Sequence, residues 1–460
     1  SWISGLLPGH PYDQTQAGRN SPLFGRGVAS DPTVRAGANG LFYYSGIAFD
    51  RTAGGLSVIF VARFIDNNVT KLGDVDPIKY LDATIIDTGT SGQFADKPWI
   101  AVDSPRSGSG TVPIYAPDTP VQNVARHNVY MAYSVFLGSL SGGDQSKIMF
   151  ARSTNCGTTW QSPIKVSESQ HINQGTTIAV SPKDGTIYLA WRRFPSSSEA
   201  SNIMVSRSTD FGLTFTKAVA VVPAGINAFD QYTASNSFRT YAFPTLAIDR
   251  DGIVYVAWSE RTTPEGDARI VISTSTNGSD WSLPVPINNH EGRGHQIMPS
   301  LTYAAGRLTM TWYDTRNSEG GHGNDISDPG PTGKRHTIDV WVAQAIPSLT
   351  PTFTDFTQVS KYLYWVETDA EGKVPENPTI IRKENNYPNF PLCDGGHKPF
   401  FGDYIDIASA PTFLFDVNLE TQGGACRFNT LDSDPATSFI SWADNRDVRP
   451  PLDGDWTRYN

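Results

Sequence analysis

Three histidines and two tyrosines lie a few residues before predicted β-strands, where their side chains could move protons. The histidines are His171, His295 and His397, and the tyrosines are Tyr241 and Tyr404. An imidazole can remove a proton near neutral pH, and a phenol can return one to a departing oxygen, which is general acid–base chemistry. We therefore predict these residues as the catalytic candidates, with one histidine as the base.

Charged side chains accompany them at the same strand ends. Arginine guanidinium groups bind a carboxylate through paired hydrogen bonds in a fixed geometry, so they are candidates for holding an acidic ligand. The predicted substrate-binding residues are Arg193, Arg239, Arg261, Arg316, Asp96 and Lys398. Other charged residues expected there are Arg63, Lys97, Arg192, Glu260, Arg293, Asp314, Asp403, Asp444 and Arg446. Arg316 and Arg446 each lie four residues after a tryptophan, a recurring ending that also fits salt bridges between neighbouring structural units.

Six pairs of short segments with alternating apolar residues must position these side chains. Each pair is a strand, a turn and a second strand, with turn signals such as Asp184-Gly185 between them. The pairs are 32–36 with 41–49, 98–103 with 129–135, 177–180 with 187–191, 244–249 with 253–258, 299–302 with 308–312, and 403–407 with 439–442. A proline before several first strands predicts where those strands begin. No stretch has the periodicity of a long amphipathic helix, so the sequence predicts an all-β fold.

One short pattern recurs three times at the end of a β-rich unit. Its copies are Ser153–Trp160, Ser208–Phe215 and Ser275–Trp281, of which the third is one residue shorter. A Ser and an Asp or Asn two residues apart can bond to their own backbone, and a Gly supplies a positive φ. We expect each copy to form a tight turn between antiparallel strands, with its aromatic residue packed on the sheet.

These turns resemble the Asp-box, or BNR-repeat, turns of the sialidase-superfamily propellers. The copies recur at roughly 55 to 70 residues, which is the length of one four-stranded blade with its loops. The resemblance implies an all-β β-propeller with six blades, counted from the inner strand pairs, and seven blades as the alternative if residues 361–398 form another. We expect one catalytic domain over residues 1–460, with the turns on one face and the candidate side chains on the other.

Charge and hydropathy exclude several classes of partner. The chain has 460 residues, a net charge of −10 and no apolar run long enough to cross a bilayer, so neither nucleic acid nor membrane is expected. The sequons Asn68-Val69-Thr70 and Asn277-Gly278-Ser279 favour a secreted, extracellular protein, which we expect to be a monomer.

Metal and redox signals are sparse. The three cysteines lack metal-ligand spacing, and Cys393 with Cys426 fits a single disulfide. No cofactor is expected, although Asp325 and Asp328 in a long Gly- and Asp-rich loop leave calcium open.

The resemblance to sialidases does not include their catalytic signature of an Arg-Ile-Pro motif, three arginines, an Asp acid and a Tyr–Glu pair. The comparable stretch, residues 24–32, lacks the motif. In a sialidase, Arg26 and Asp31 would have to be displaced counterparts of the catalytic arginine and aspartate, and Glu260 with Tyr404 would have to form the Tyr–Glu pair. Polysaccharide lyases of the propeller type, such as fungal rhamnose–glucuronate lyases acting on plant gum, are similar in scaffold.

The residue types favour the lyase, so we predict cleavage of an acidic polysaccharide or oligosaccharide next to a uronic acid by β-elimination. Arg239 or Arg261 would hold the uronate, a histidine would remove the C5 proton, and Tyr241 or Tyr404 would protonate the leaving oxygen. Two alternatives stay open. One is an exo-acting glycoside hydrolase of the sialidase type, and the other is a non-catalytic glycan-binding propeller.

Overall fold

The structure, a computed structural model, is built almost entirely from antiparallel β-strands. It describes residues 6–9, 13–50, 56–67, 77–89, 92–106, 109–117, 119–138, 145–168, 171–231, 239–261, 263, 266–288, 294–317, 338–361, 363–366, 368–377, 380–384, 402–415 and 426–444. The helical segments in these ranges are a short α-helix, α1 (Gln16–Asn20), and a 3₁₀ turn at Ala38–Gly40. No helix in these ranges is long and apolar enough to span a membrane.

The strands follow one another as antiparallel meanders. In chain order they are β1 (Val28–Ala36), β2 (Leu41–Phe49), β3 (Ser57–Asp66), β4 (Ile78–Gly89), β5 (Gln93–Val102), β6 (Thr111–Ile114), β7 (Gln122–Ala125), β8 (Val129–Leu137), β9 (Gln145–Ser153), β10 (Ile164–Lys165), β11 (Asn173–Val180), β12 (Ile187–Arg193), β13 (Asn202–Ser208), β14 (Val219–Ala220), β15 (Thr245–Ile248), β16 (Val254–Arg261), β17 (Ala268–Ser275), β18 (Val285–Pro286), β19 (Gln296–Ala304), β20 (Arg307–Asp314), β21 (Asp339–Ala345), β22 (Phe353–Gln358), β23 (Leu363–Val366), β24 (Ile380–Glu384), β25 (Asp406–Ala410), β26 (Phe413–Phe415), β27 (Cys426–Phe428) and β28 (Thr437–Ser441). The described four-stranded sheets are β1–β4, β5 with β8–β10, β11–β14, β15–β18 and β19–β22. Two-stranded sheets pair β6 with β7, β23 with β24, β25 with β28, and β26 with β27.

The first strands of successive sheets form a ring. Neighbours in it are β1 and β5, β5 and β11, β11 and β15, β15 and β19, and β19 and β25. Arg35 of β1 binds Asp406 of β25 at 2.7 Å, which joins the two ends of the series. These strands surround a central cavity of about 200 Å³. Sheets that radiate from one axis in this way form a β-propeller, as the sequence predicts.

The number of blades stays a prediction. Among the described residues, six sheets contribute a strand to the ring, in agreement with the six predicted inner pairs. The segment 361–398, proposed as a seventh blade, includes the two-stranded sheet β23–β24, and its residues 385–398 lie outside the described residues. The assignment of residues 1–460 to a single domain likewise stays a prediction.

The apolar core lies between the faces of adjacent sheets. One cluster joins Tyr130 and Phe150 of the second sheet to Ile178 and Trp191 of the third. Trp191, Trp258 and Trp312 occupy the second strands of three successive sheets and are at most 1% exposed. A buried indole N–H needs an acceptor, and these three donate to Asn173, Glu260 and Asp314 respectively.

The three repeated motifs form the tight turns that the sequence predicts. The Oγ of Ser208 accepts the backbone N–H of Gly212 at 2.8 Å, and Asp210 accepts that of Thr214 at 3.0 Å. The copy at Ser153 makes the corresponding bonds, and the shorter copy at Ser275 closes one residue earlier. The turns lie at the same end of their sheets as the connections between first and second strands, and we call this end the turn face.

The proline signal needs a correction. Pro32, Pro98 and Pro299 do not begin their strands, because β1, β5 and β19 start three to five residues earlier. Each of these prolines instead lies where the pairing with the second strand shifts register. An extra residue at such a β-bulge leaves an N–H unpaired, so a proline is tolerated there.

The described cysteines are buried free thiols. Cys156 lies in the first turn and Cys426 in β27. A free Cys426 contradicts the expected disulfide, and its suggested partner Cys393 lies outside the described residues. The loop with Asp325 and Asp328 also lies outside them.

Candidate functional site

The β-bulges of the inner strands lie at the end of the ring opposite the turn face, and we call this end the bulge face. Four of the inner strands carry a residue with positive φ at this level: Asp31 at 56°, Lys97 at 53°, Gly175 at 69° and Met298 at 50°. Such a conformation is strained for residues other than glycine and is over-represented at functional sites. Because a bulge re-aims the side chains next to it, the four bulges direct polar groups towards the axis.

Two carboxylates from different blades meet at the bulge face. The carboxyl group of Asp96, on β5, shares a hydrogen bond with that of Asp31, on β1, and also accepts the side-chain amide of Gln174 at 3.0 Å. Burial raises the pKa of Asp96 to about 6, and the charge and hydrogen bond of Asp31 add to the rise while Lys97 opposes it. Two carboxylates this close cannot both ionise readily, so the pair holds one proton below about pH 6.

The hydroxyl group of Tyr404 completes this group. It donates to Oδ2 of Asp31 at 3.1 Å, and its ring lies 6.3 Å from that of Trp99. Burial raises the pKa of Tyr404 well above its usual value, and the charges of Asp31, Asp96 and Asp403 raise it further. The phenol is therefore protonated at rest, and the carboxylate that can take its proton is Asp31.

A buried ion-pair cluster supports the tyrosine from the other side. The Nζ of Lys97 binds Oδ2 of Asp403 at 2.7 Å, and both side chains are at most 5% exposed. Arg239 binds both oxygens of the same carboxylate. Burial would raise the pKa of Asp403, but Lys97 and Arg239 outweigh it and hold that pKa below its usual value. Lys97 also lies 4.7 Å from the centre of the Tyr404 ring, a cation–π contact that fixes its orientation.

Aromatic side chains form the wall of this site. The rings of Tyr241 and Phe243 lie 5.4 Å apart, and Arg239 lies over the ring of Tyr241. A cavity of about 50 Å³ is lined by Lys97, Trp99, Tyr241, Phe243, Asp403 and Tyr404, among others. Aromatic faces beside a few convergent polar groups are typical of small-ligand sites.

The structure thus brings together four predicted site residues, Asp96, Arg239, Tyr241 and Tyr404. Lys97 and Asp403 were expected at the same strand ends, and Asp31 was expected only as a displaced counterpart. Gln174, Trp99 and Phe243 were not predicted as site residues. The sequence signal that could have located the site is a residue followed by proline at the bulge of the first strand, as in Asp31-Pro32 and Lys97-Pro98 of neighbouring blades.

His171 and Arg193 form a separate pair on the third sheet. The Nε2 of His171 lies 3.1 Å from Glu199, and Arg193 binds the same carboxylate at 3.0 Å. Neither side chain lines the aromatic-walled cavity. Arg192, next in the chain, binds Asp230 at 2.9 Å.

His295 and Arg261 pack against the same aromatic ring, that of Phe229. The Nδ1 of His295 accepts the backbone N–H of Ala268 at 3.0 Å, and its Nε2 faces Asp267 at 3.6 Å. Arg261 donates to the carbonyl of Gly266. With one nitrogen accepting a backbone N–H and the other facing a carboxylate, His295 is placed as a structural residue rather than as a base.

The remaining candidates have other partners. Arg316 binds Asp314 at 2.6 Å within its own blade, rather than tying two blades together. Glu260 does not pair with Tyr404, because it accepts from the indole of Trp258 and the backbone of Asn227. His397, Lys398, Arg293 and Arg446 lie outside the described residues.

Arg63 was expected on the candidate face and lies on the turn face instead. It donates to the carbonyl of Cys156 and the hydroxyl of Thr158 in the first repeated turn. The part of the chain that the structure describes does not present the expected cationic rim as free charges. Each described rim arginine expected to bind a carboxylate ligand already has a carboxylate or a carbonyl as its partner.

A raised pKa alone does not define the site. Burial also raises the pKa of Asp103 to about 6, yet Asp103 lies at the turn-face end of β5 with Arg106 as its ion-pair partner. Asp96 differs because it faces a second carboxylate and a phenol. Among the described residues, no group of three or more His, Cys, Asp and Glu side chains is arranged to hold a metal ion.

Comparisons with known proteins give similarities of structure only. No protein-family description and no curated protein sequence matches the chain. The intramolecular trans-sialidase of Ruminococcus gnavus, solved with oseltamivir carboxylate, is 10% identical over 92% of this chain and 96% of its own, with a TM-score of 0.43. The sialidase of Trypanosoma rangeli, solved with sialic acid, is 11% identical over 90% of this chain and 54% of its own, with a TM-score of 0.42.

The GH93 α-L-arabinofuranosidase of Fusarium graminearum, solved with arabinobiose, is 13% identical over 73% of this chain and 86% of its own, with a TM-score of 0.37. At such identities and TM-scores these similarities assign neither a reaction nor a substrate to this chain. The reaction has to be inferred from the side chains of the bulge face.

Proposed function

We propose that the protein is a glycoside hydrolase whose reacting groups are Asp96, Asp31 and Tyr404. The observation that carries the proposal is the hydrogen-bonded pair Asp31–Asp96, in which burial and the second carboxylate raise the pKa of Asp96 while Tyr404 donates to Asp31 at 3.1 Å. A buried carboxyl group with a raised pKa, next to an acceptor for a phenol proton, supplies an acid and a base in one place. This replaces the lyase as the preferred interpretation and agrees with the hydrolase alternative.

Asp96 is the general acid in this proposal. Its pKa of about 6 keeps it protonated in mildly acidic solution, where it can give a proton to the glycosidic oxygen. Gln174 holds one of its oxygens at 3.0 Å and so fixes the direction in which the proton is presented. After the transfer, the nearby charge of Lys97 stabilises the Asp96 carboxylate.

Tyr404 is the nucleophile. Glycosidases that use two carboxylates hold them about 5 Å or more apart, one on each side of the bond, and directly hydrogen-bonded carboxylates cannot take those positions. The hydrogen-bonded pair therefore cannot supply both the acid and the nucleophile, and the phenol is left to attack the anomeric carbon. Because the pKa of Tyr404 is raised, Asp31 must take its proton during the attack.

The protons and bonds balance over two steps. First, the Tyr404 oxygen bonds to the anomeric carbon as the glycosidic C–O bond breaks, Asp31 gains the phenol proton, and the leaving oxygen gains the Asp96 proton. Then water attacks the glycosyl-tyrosine, Asp96 takes a proton from that water, and the departing Tyr404 oxygen recovers its proton from Asp31. The anomeric configuration is retained after two displacements.

The β-elimination alternative needs cations that neutralise a uronate carboxylate. Lys97 and Arg239, the cations nearest to the phenol among the described residues, already bind Asp403. The described histidines proposed as bases have carboxylate partners outside the group of Asp31, Asp96 and Tyr404, since His171 faces Glu199 and His295 faces Asp267. These contacts favour hydrolysis over elimination.

The test is a panel of aryl glycosides and natural oligosaccharides, assayed for reducing ends and for absorbance at about 235 nm, which reports the conjugated product of elimination. We expect new reducing ends without absorbance. Tyr404→Phe should lower kcat by about 10³-fold or more, because it removes the group that forms the covalent intermediate. Tyr115→Phe is the matched control, since Tyr115 is 72% exposed and should keep full activity.

Two results would overturn the proposal. One is an unsaturated product absorbing near 235 nm, which would establish elimination. The other is a Tyr404→Phe variant that is folded and as active as the Tyr115→Phe control.

A further inference from the structure

The cations described around the proposed reacting groups are paired with carboxylates of the protein itself. Asp403 binds two of them, Lys97 at 2.7 Å and Arg239 through both carboxylate oxygens. Arg35, on the axis just below, binds Asp406 at 2.7 Å and lies over the Trp99 ring at 4.8 Å. A carboxylated ligand would compete with Asp403 for Lys97 and Arg239, and both side chains of the Lys97–Asp403 pair are buried. Breaking a buried pair is costly, because it leaves a charge without its partner.

The charged side chains of the site also balance when Asp96 is protonated, below about pH 6. The site then has two other carboxylate side chains, Asp31 and Asp403, and two cationic ones, Lys97 and Arg239. An anionic sugar would add a charge with no counter-ion among the described residues of the cavity. A cationic sugar would favour ionisation of Asp96, so the acid would lose the proton that it must donate. An uncharged sugar changes neither the net charge of the site nor the protonation of Asp96.

We propose, on the basis of the glycoside hydrolase above, that the site accepts an uncharged glycosyl group and that Asp403 excludes carboxylated sugars by holding Lys97 and Arg239. This differs from the acidic glycan expected from the sequence. The side chains of Trp99, Tyr241 and Phe243 offer aromatic surface on which the apolar face of an uncharged sugar ring would stack.

Matched pairs of substrates test the proposal on the wild-type protein. Aryl glucosides and galactosides differ from the corresponding glucuronides and galacturonides by a CH₂OH in place of a carboxylate, and an aryl arabinofuranoside and an aryl sialoside extend the panel. We expect neutral members to exceed their carboxylated partners in kcat/KM by about 10- to 100-fold, the effect of one unpaired charge. A carboxylated member that is cleaved best would overturn the inference.

Binding to an Asp403→Asn variant gives a second measure that needs no turnover. The neutral amide keeps the shape of the side chain but releases two cations, so the affinity for glucuronate should rise about tenfold while that for methyl glucoside stays within a few-fold. Asp434→Asn is the control, because it releases Arg427 at a distance from the cavity and should change neither affinity. A folded Asp403→Asn variant that gains no affinity for glucuronate would contradict the role of Asp403.

The two proposals fail in different ways. If a glucuronide or sialoside is the best substrate and Tyr404→Phe abolishes its hydrolysis, the uncharged sugar is wrong and the hydrolase stands. If cleavage gives an unsaturated product or does not depend on Tyr404, the hydrolase fails, and the binding comparison alone decides the role of Asp403.

Discussion

The two faces of the propeller use the same side chain, aspartate, in opposite ways. On the turn face, Asp210 accepts hydrogen bonds from the hydroxyl and backbone of Thr214 and from Ser208, and they lower its pKa to about 2. On the bulge face, burial and a second carboxylate raise the pKa of Asp96 to about 6. Donors that are close in the chain stabilise the charged form, whereas enclosure between blades destabilises it.

The difference separates scaffold from chemistry. A turn that satisfies its polar atoms locally can recur wherever two strands need connecting, and it has no proton to exchange near neutral pH. The bulge face instead assembles Asp31, Asp96 and Tyr404 from three blades, and the backbone has a positive φ at Asp31 and at Lys97, next to Asp96. Such an arrangement costs stability and is retained where it serves a reaction.

Removal of the proton that Asp96 exchanges should have the largest effect on catalysis. In the wild type, kcat/KM should fall above about pH 6, because Asp96 must be protonated to act as the acid. Asp96→Asn should lower kcat/KM by about 10²–10⁴-fold and abolish that fall, with a smaller loss for substrates whose leaving groups need no proton. Asp210→Asn is the control and should keep the wild-type profile. An Asp96→Asn variant with an unchanged pH profile would contradict the assignment.

The same substitution should affect stability in the opposite direction. A carboxyl group whose pKa is raised in the folded state favours folding below its unfolded pKa, and this contribution is lost as pH rises through the folded pKa. Relative to the wild type, Asp96→Asn should therefore become more stable between about pH 4 and pH 6–7. Chemical denaturation across this range measures it, and a pH-independent difference would show that burial of the charge is not the cause.

A substitution at a bulge should have a smaller effect, and mainly on the free energy of unfolding. Gly175 has a φ of 69°, and a Cβ there would collide with the ring of Phe243, which lines the cavity. Gly175→Ala should lower the free energy of unfolding by about 2–4 kcal/mol, through backbone strain and overpacking. Gly372→Ala is the control, because Gly372 also has a positive φ but no atoms near the added Cβ. Equal losses in both variants would show that the contact with Phe243 is unimportant.

The turn face should give the smallest effects and none on activity. Ser208→Ala removes the acceptor for the Gly212 N–H and should cost about 1–2 kcal/mol in the free energy of unfolding. Asp210→Asn should cost little at neutral pH, since Asn155 fills this position in the first copy with the same backbone bond to Thr159. Loss of catalysis in a folded Ser208→Ala variant would contradict the separation of the two faces.

The strands and turns could be predicted because their causes are local. Alternation of apolar residues identified the inner strand pairs, and the Ser, Asp or Asn, and Gly spacing identified the turns. The site was predictable in part for the same reason. Asp96, Arg239, Tyr241 and Tyr404 all lie just before inner strands, at one end of the ring.

The rest of the site depends on contacts that no local pattern records. A bulge adds one residue and so turns the following side chains to the other face, and the prolines that mark bulges looked like strand starts. The distance of His295 from a strand does not reveal that its nitrogens face the backbone N–H of Ala268 and the carboxylate of Asp267. The link between Asp31 and Asp96 joins two neighbouring blades, and the hydrogen bond from Tyr404 to Asp31 joins residues 373 positions apart, which closure of the ring brings together.

The most direct test of the account is an infrared titration of the carboxyl groups, which needs no substrate. Protonated carboxyl groups absorb separately from carboxylates, so the difference between wild type and Asp96→Asn isolates one group from Asp103, which titrates in the same range. We predict a carboxyl band in the wild type that disappears with a midpoint near pH 6 and is missing from the variant. If the two proteins give the same titration, Asp96 does not hold the proton and the proposed centre is wrong.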